Sequence, residues 1–183
     1  MTDPAREETQ RQRDVVDLMA SAHATLRDRY RRRATVMTCT LLAASVVATA
    51  FAFAAGDTKV TLLGVTLDRS AWLGWFAVAT FTLTLADLVL DWRGNGRRHE
   101  DAVRQLAGLK AEYRRPLPAG AEAAARARLT GRYQSVMDTV APIPERKFLA
   151  LKAAHLRKSE LSRLLSAKPG MSVRQARRAL KKP

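Results

Sequence analysis

Two apolar blocks constrain this chain more than any other feature. Ala34 to Ala55 carries no charged side chain, and Ser70 to Leu90 carries only Asp87. Each approaches the ~20 residues needed to span a bilayer as a helix. The alternative is a buried helical hairpin in a soluble bundle, but charge-free stretches of this length bracketed by arginines are rare in such cores. A cleaved signal peptide fits poorly, because a long polar segment precedes the first block and that block exceeds the usual ~7–15 apolar residues. The expected fold is therefore an all-α membrane protein. It comprises an N-terminal amphipathic helix (1–33), a two-helix transmembrane hairpin (34–92, spans about 34–55 and 70–90, outer loop 56–69), a cytoplasmic helical region (93–166) and a basic tail (167–183).

The distribution of charge orients the hairpin. Lysine and arginine number 32 against 17 aspartates and glutamates, a net charge of +15. Arg27, Arg29, Arg31, Arg32 and Arg33 abut the first block, and Arg93, Arg97 and Arg98 follow the second. The loop between balances Lys59 and Arg69 against Asp57 and Asp68. By the positive-inside rule both flanks, and hence both termini, are expected in the cytoplasm with the hairpin in the inner membrane. Trp72 and Trp75 at one end of the second block and Trp92 at the other agree, since indoles favour the interface. Cys39, the single cysteine, excludes an internal disulfide and reads as a small packing residue.

Along the chain, Val15, Met19, Ala22, Leu26 and Tyr30 recur at helical spacing before the first span. Val60-Thr61-Leu62 and Val65-Thr66-Leu67 around Gly64 give a weak two-stranded signal, with a plain loop as the alternative. Gly94, Asn95 and Gly96 are expected to interrupt the chain after the second span. Three amphipathic stripes then follow. They are Ala102, Leu106, Leu109 and Tyr113; Ala125, Leu129, Tyr133, Val136 and Val140; and Phe148, Leu151, Leu161 and Leu165. Pro116, Pro118, Gly120, Pro142 and Pro144 separate them. The region is alanine-rich with few large apolar residues, which favours a collar shared between copies and hence a homo-oligomer.

No catalytic constellation is evident. His23, His99 and His155 are far apart and match no nucleophile or metal-ligand pattern, so neither an enzyme nor a cofactor nor a metal is expected. The spans carry the more informative residues. Thr80, Thr84, Asp87 and Asp91 follow helical steps of four, three and four and share one face. A carboxylate in the apolar layer costs at least ~2.5 kcal/mol, so Asp87 is expected to face protein or water. The face is a candidate pore lining; the competing reading pairs Asp87 with Arg93 or Arg31 at the interface. Thr38, Ser45 and Thr49, with Ala44, Ala48 and Ala52, give the first span a small surface suited to close helix packing. The basic excess, Arg31, Arg32 and Arg33 included, is accounted for by topology and by anionic lipid, at about 1 kcal/mol per residue near an anionic leaflet. Nucleic acid is not an expected partner, because no aromatic residue follows Phe148.

The segment Tyr133 to Lys158, YQSVMDTVAPIPERKFLALKAAHLRK, resembles the SLATT family of bacterial two-transmembrane proteins. The residues that carry the likeness are Tyr133, the Pro142-Ile143-Pro144 turn, Phe148, Leu151, Lys152, His155 and Lys158, and the arrangement is similar over about Val15 to Ser166. The resemblance implies a membrane effector of prokaryotic conflict systems, acting as a pore and answering to a nucleotide second messenger or a sensor protein. An anionic ligand held between copies would fall at Lys152, His155 and Lys158, which otherwise read as a solvated helix face. Two other functions fit the same topology. One is a non-conducting membrane scaffold that recruits a cytoplasmic partner, and the other a holin-like lysis protein.

Overall fold

The computed structural model describes residues 4–53, 59–62, 64–116, 118 and 120–180. The expected end of the first span at 54–55, the loop residues 56–58 with Asp57, Leu63, and the chain ends 1–3 and 181–183 lie outside the described residues. The chain is helical apart from one small ribbon. Its elements are α1 (Pro4–Phe53), β1 (Lys59–Leu62), β2 (Val65–Asp68), α2 (Arg69–Leu90), α3 (Trp92–Arg114), α4 (Glu122–Thr139), α5 (Glu145–Ala167) and α6 (Val173–Ala179). The contacts divide the chain into two compact units, residues 27–97 and residues 1–26 with 98–183.

In the unit 27–97, the second half of α1 and α2 are each long and apolar enough to cross a membrane. At 22 residues, α2 extends about 33 Å, close to the ~30 Å hydrocarbon thickness. It buries no residue against the rest of the chain. Leu88 and Val89 are 75% and 81% exposed and Phe53 85%, the opposite of a soluble core hairpin, where such side chains face one another. The two helices still touch. The Phe51 and Phe76 rings lie 5.9 Å apart between centroids, and just past α2, at the start of α3, Arg93 Nη2 donates to Thr38 Oγ1 of α1 at 2.7 Å. Cys39 is exposed rather than packed, because two residues along α1 carry it about 200° around the helix from the buried Met37.

The apolar alternation between α1 and α2 forms a ribbon. Strands β1 and β2 pair antiparallel, with Val60 opposite Leu67 and Leu62 opposite Val65, and the Thr61 and Thr66 hydroxyls hydrogen-bond at 2.7 Å. Gly64 sits in the connection at φ 82°, where a side chain would be strained.

The helix break after α2 differs from the expected one. Gly94, Asn95 and Gly96 lie inside α3, and the chain turns instead at Asp91, whose φ of 39° is left-handed. Aspartate tolerates that conformation because its short carboxylate bonds the local backbone. Here Oδ1 accepts the Gly94 N–H at 3.0 Å, an N-cap for α3. A Cβ at Gly94 would run into the same carboxylate, so the glycine serves the cap and does not end the helix.

The unit comprising 1–26 and 98–183 holds the hydrophobic core. Val16 of α1, Ala102, Leu106 and Leu109 of α3, and Val136 and Val140 at the end of α4 form one cluster, with Met19, Tyr113, Tyr133 and Met137 packed around it. These are largely the residues of the apolar stripes, now facing one another. Polar contacts fix the register of the helices. Tyr113 Oη donates to Gln12 Oε1 at 2.7 Å, Lys110 pairs with Asp17 at 2.6 Å, and Thr139 Oγ1 donates to Gln105 Oε1 at 3.0 Å. Burial first, then the charges of Tyr133, Glu8 and Glu112, push the Tyr113 phenol up to about 12, so it stays a neutral donor. Part of the basic tail is itself ordered. Ser172 and Gln175 form a capping box that starts α6, and Ala176 is fully buried.

Candidate functional site

The polar face of α2 separates into three kinds of position. Thr80 and Thr84 line a groove of about 540 Å³ together with Ser45 and Ala48 of α1. Helical periodicity brings these two threonines to one side, and the small Ser45 and Ala48 leave the space opposite them. Asp87 is half-buried one turn further on, outside that groove. Asp91 is exposed and spends its carboxylate on the α3 cap. Thr80, Thr84 and Asp87 therefore share a face of α2 without a common environment, and Asp91, where the helix has ended, does not belong to that face.

Most hydroxyls of this hairpin are satisfied locally. Thr80 donates to the Phe76 carbonyl at 2.7 Å and Thr84 to the Thr80 carbonyl at 2.8 Å. On α1, Thr38, Thr40, Ser45 and Thr49 each donate to the carbonyl four residues back. Such back-bonding lets a hydroxyl sit in an apolar layer without water. Among the described residues the Asp87 carboxylate has no comparable partner. Arg93, one of the two arginines expected to pair with it, gives its Nη2 to Thr38 instead.

At the other end of the hairpin unit, Arg29, Arg32 and Arg33 rim a groove of about 470 Å³ whose inner wall includes Met37, Leu83 and Trp92. Of the candidate anion-binding arginines, Arg32 and Arg33 thus belong to a shaped feature, whereas Arg31 is exposed outside it. The spacing of residues 29, 32 and 33 places them on one helix face.

In the other unit, Lys152, His155 and Lys158 do not converge. Lys152 is exposed and His155 half-buried. Lys158 lines a groove of about 680 Å³ between α5 and α6 with Arg157, Glu160 and Arg177. The family-like residues are structural in placement: Tyr133 packs on the core, and Pro142, Ile143 and Pro144 bridge α4 and α5. The Pro144 carbonyl accepts the N–H of Lys147 and Phe148 at 2.9 and 3.0 Å, which starts α5 with Phe148 half-buried on its first turn.

Sequence reasoning missed one constellation. His23 and His99, 76 residues apart, meet Nδ1 to Nδ1 at 2.9 Å in the interior, at 0% and 8% exposure. One nitrogen must donate and the other accept, so the pair holds a fixed tautomer relation. His23 Nε2 is buried with no hydrogen-bond partner. Burial, then the neighbouring His99, lower the His23 pKa to about 4; burial, then Lys147, lower that of His99. The only signal in the sequence was His23 falling four residues after Met19 and three before Leu26, on the apolar side of its helix. Among the described residues no group of three or more His, Cys, Asp or Glu is placed to hold a metal.

No family model matches the chain, and no curated protein or solved structure shows significant similarity to it.

Proposed function

We propose that this chain is an oligomeric inner-membrane effector whose hairpins assemble into a signal-gated pore, in the manner of bacterial antiphage systems. The observation that carries the reading is Asp87: a half-buried carboxylate in the apolar part of a helix whose threonine hydroxyls already have partners. In a bilayer an ionisable group so placed must face protein or water. Assembly about an axis with this face inward gives a ring of carboxylates near the cytoplasmic mouth, and such rings favour cations. The uncovered apolar surface of both spans supports a lipid environment, and the arginine flanks support cytoplasmic termini. The SLATT-like segment supports the effector role, with the signal supplied by a nucleotide or a sensor protein.

A second reading draws on a different observation. The back-bonded hydroxyls of Ser45, Thr80 and Thr84 make the groove between the spans compatible with dry packing, as in a scaffold that recruits a cytoplasmic partner. Reversal potential in planar bilayers under a salt gradient separates the two. A pore shows cation preference that weakens in Asp87→Asn with insertion intact. An inserted, conducting Asp87→Asn protein with unchanged reversal potential removes Asp87 from the ion path, and a wild type that never conducts favours the scaffold.

A further inference from the structure

Beyond the pore reading, we infer that the groove framed by Arg29, Arg32, Arg33 and Trp92 is a binding site for one anionic phospholipid of the leaflet that the arginines face. The inference rests on the hairpin lying in a bilayer, but not on conduction. Its components come from three elements of one unit. The arginines and Met37 are on α1, Leu83 is on α2, and Trp92 is the first residue of α3. Charge and apolarity are ordered along the groove. The three arginines precede Val36, Met37 and Thr40 along α1, and Leu83 of α2 lines the same groove.

This order selects the ligand. No carboxylate among the described residues forms an ion pair with Arg29, Arg32 or Arg33; the nearest acid in sequence, Asp28, pairs with Arg27 at 2.8 Å. A phosphodiester supplies the missing anion, and the planar guanidinium fork matches its oxygens in pairs. A soluble phosphate compound would satisfy the arginines but leave Val36, 57% exposed, and the half-buried Leu83 uncovered. An acyl chain covers them. Trp92 then sits at the junction, where an indole prefers to be. At about 470 Å³ the groove falls within the ~300–1,000 Å³ typical of ligand sites, enough for a headgroup and the upper part of one chain. The site differs from general polybasic attraction, which needs neither a wall nor a particular pair of arginines.

Trp92 provides the test. Full-length protein with Trp72→Phe and Trp75→Phe, leaving Trp92 as the sole tryptophan, is reconstituted in phosphatidylcholine vesicles. These contain a minor fraction of chain-brominated phosphatidylglycerol or, separately, chain-brominated phosphatidylcholine. The expected result is preferential quenching by the anionic lipid, on the order of tenfold in apparent affinity, falling to about twofold or less in R32Q/R33Q. R97Q/R98Q, which removes two arginines outside the groove, is expected to keep the preference. R32K/R33K retains the charge that orients the hairpin but loses the fork, and is expected to lie between wild type and R32Q/R33Q. Equal quenching by the two lipids, or equal loss in R32Q/R33Q and R97Q/R98Q, overturns the site while leaving the membrane reading intact. Relief of quenching by inorganic phosphate reassigns the rim to a soluble anion and overturns the lipid. Absence of quenching by either lipid removes Trp92 from the bilayer, and the membrane reading fails with the site.

Discussion

The His23–His99 contact ties stability to pH, with a sign and a size that follow from the geometry. In the folded chain His23 is fully buried and neutral near pH 7, its pKa lowered from 6.5 to about 4. In the unfolded chain it titrates near 6.5. As pH falls below 6.5 the unfolded state takes up the proton first, so the stability present above that value is lost until the folded pKa of about 4 is passed. The shift corresponds to at most about 3 kcal/mol. We take about 2 kcal/mol, because His99 retains some solvent contact, at 8% exposure, and screening weakens the pair. The chemistry makes the loss concrete. A proton added at His23 Nε2 has no acceptor, a second charge on His99 would set two donors against each other, and Lys147 disfavours that charge further.

The perturbation is His23→Leu, which removes the buried titration while keeping an apolar side chain of comparable bulk. Far-ultraviolet circular dichroism melts of the full chain in detergent, run at matched scan rate between about pH 7 and pH 4, provide the assay. Wild type is expected to lose about 4–8 °C more than the variant over that interval, at about 2–4 °C per kcal/mol for a chain of this size. Parallel loss in both proteins would refute the reasoning, since it would place the acid sensitivity elsewhere.

Other substitutions probe the remaining links. Leu106→Ala, at a fully buried position of the core, is expected to destabilise by about 2–5 kcal/mol, read by denaturant titration of helicity. Gly94→Ala drives a Cβ into the Asp91 carboxylate and displaces the α3 cap; loss of that cap costs about 0.5–2 kcal/mol, and hydrogen exchange at Gly94 through Gly96 should rise while the core stays protected. Ser172→Ala removes one half of a capping box and is expected to speed exchange in α6 alone, by an amount equivalent to about 1 kcal/mol.

The helices were legible because their causes are local or periodic. The charge-free blocks fall within two helices long and apolar enough to cross a membrane, and α2 ends at Leu90 as the second block does, while the stripes Ala102-Leu106-Leu109 and Tyr133-Val136-Val140 name most of the core. The break near residue 94 was misplaced for an equally local reason. Glycine pairs usually end helices, but a left-handed Asp91 that caps the next helix leaves Gly94 to fill a tight space instead. The capping box at Ser172 and Gln175 was readable in the spacing, yet the run of basic residues around it masked a helix only seven residues long.

Sites were less legible, since they depend on which faces meet. Thr80, Thr84 and Asp87 lie at helical spacing on α2 while Asp91 falls past its end, and the sequence could not divide them into groove, half-buried carboxylate and cap, because the division depends on where α1 lies and where the chain turns. The arginine cluster was visible only as charge. What distinguishes Arg32 and Arg33 from Arg31 is the wall beneath them, and Leu83 and Trp92 reach that wall from positions about fifty residues away along the chain. The histidines show the same limit. One residue on an apolar stripe reads as a satisfied core group, and only the meeting of α1 with α3 makes two such residues share a hydrogen bond and leave one nitrogen without a partner. In a chain of nearly continuous helix, periodicity reveals each face separately; chemistry arises where two faces join, and there the decisive information is the register between helices.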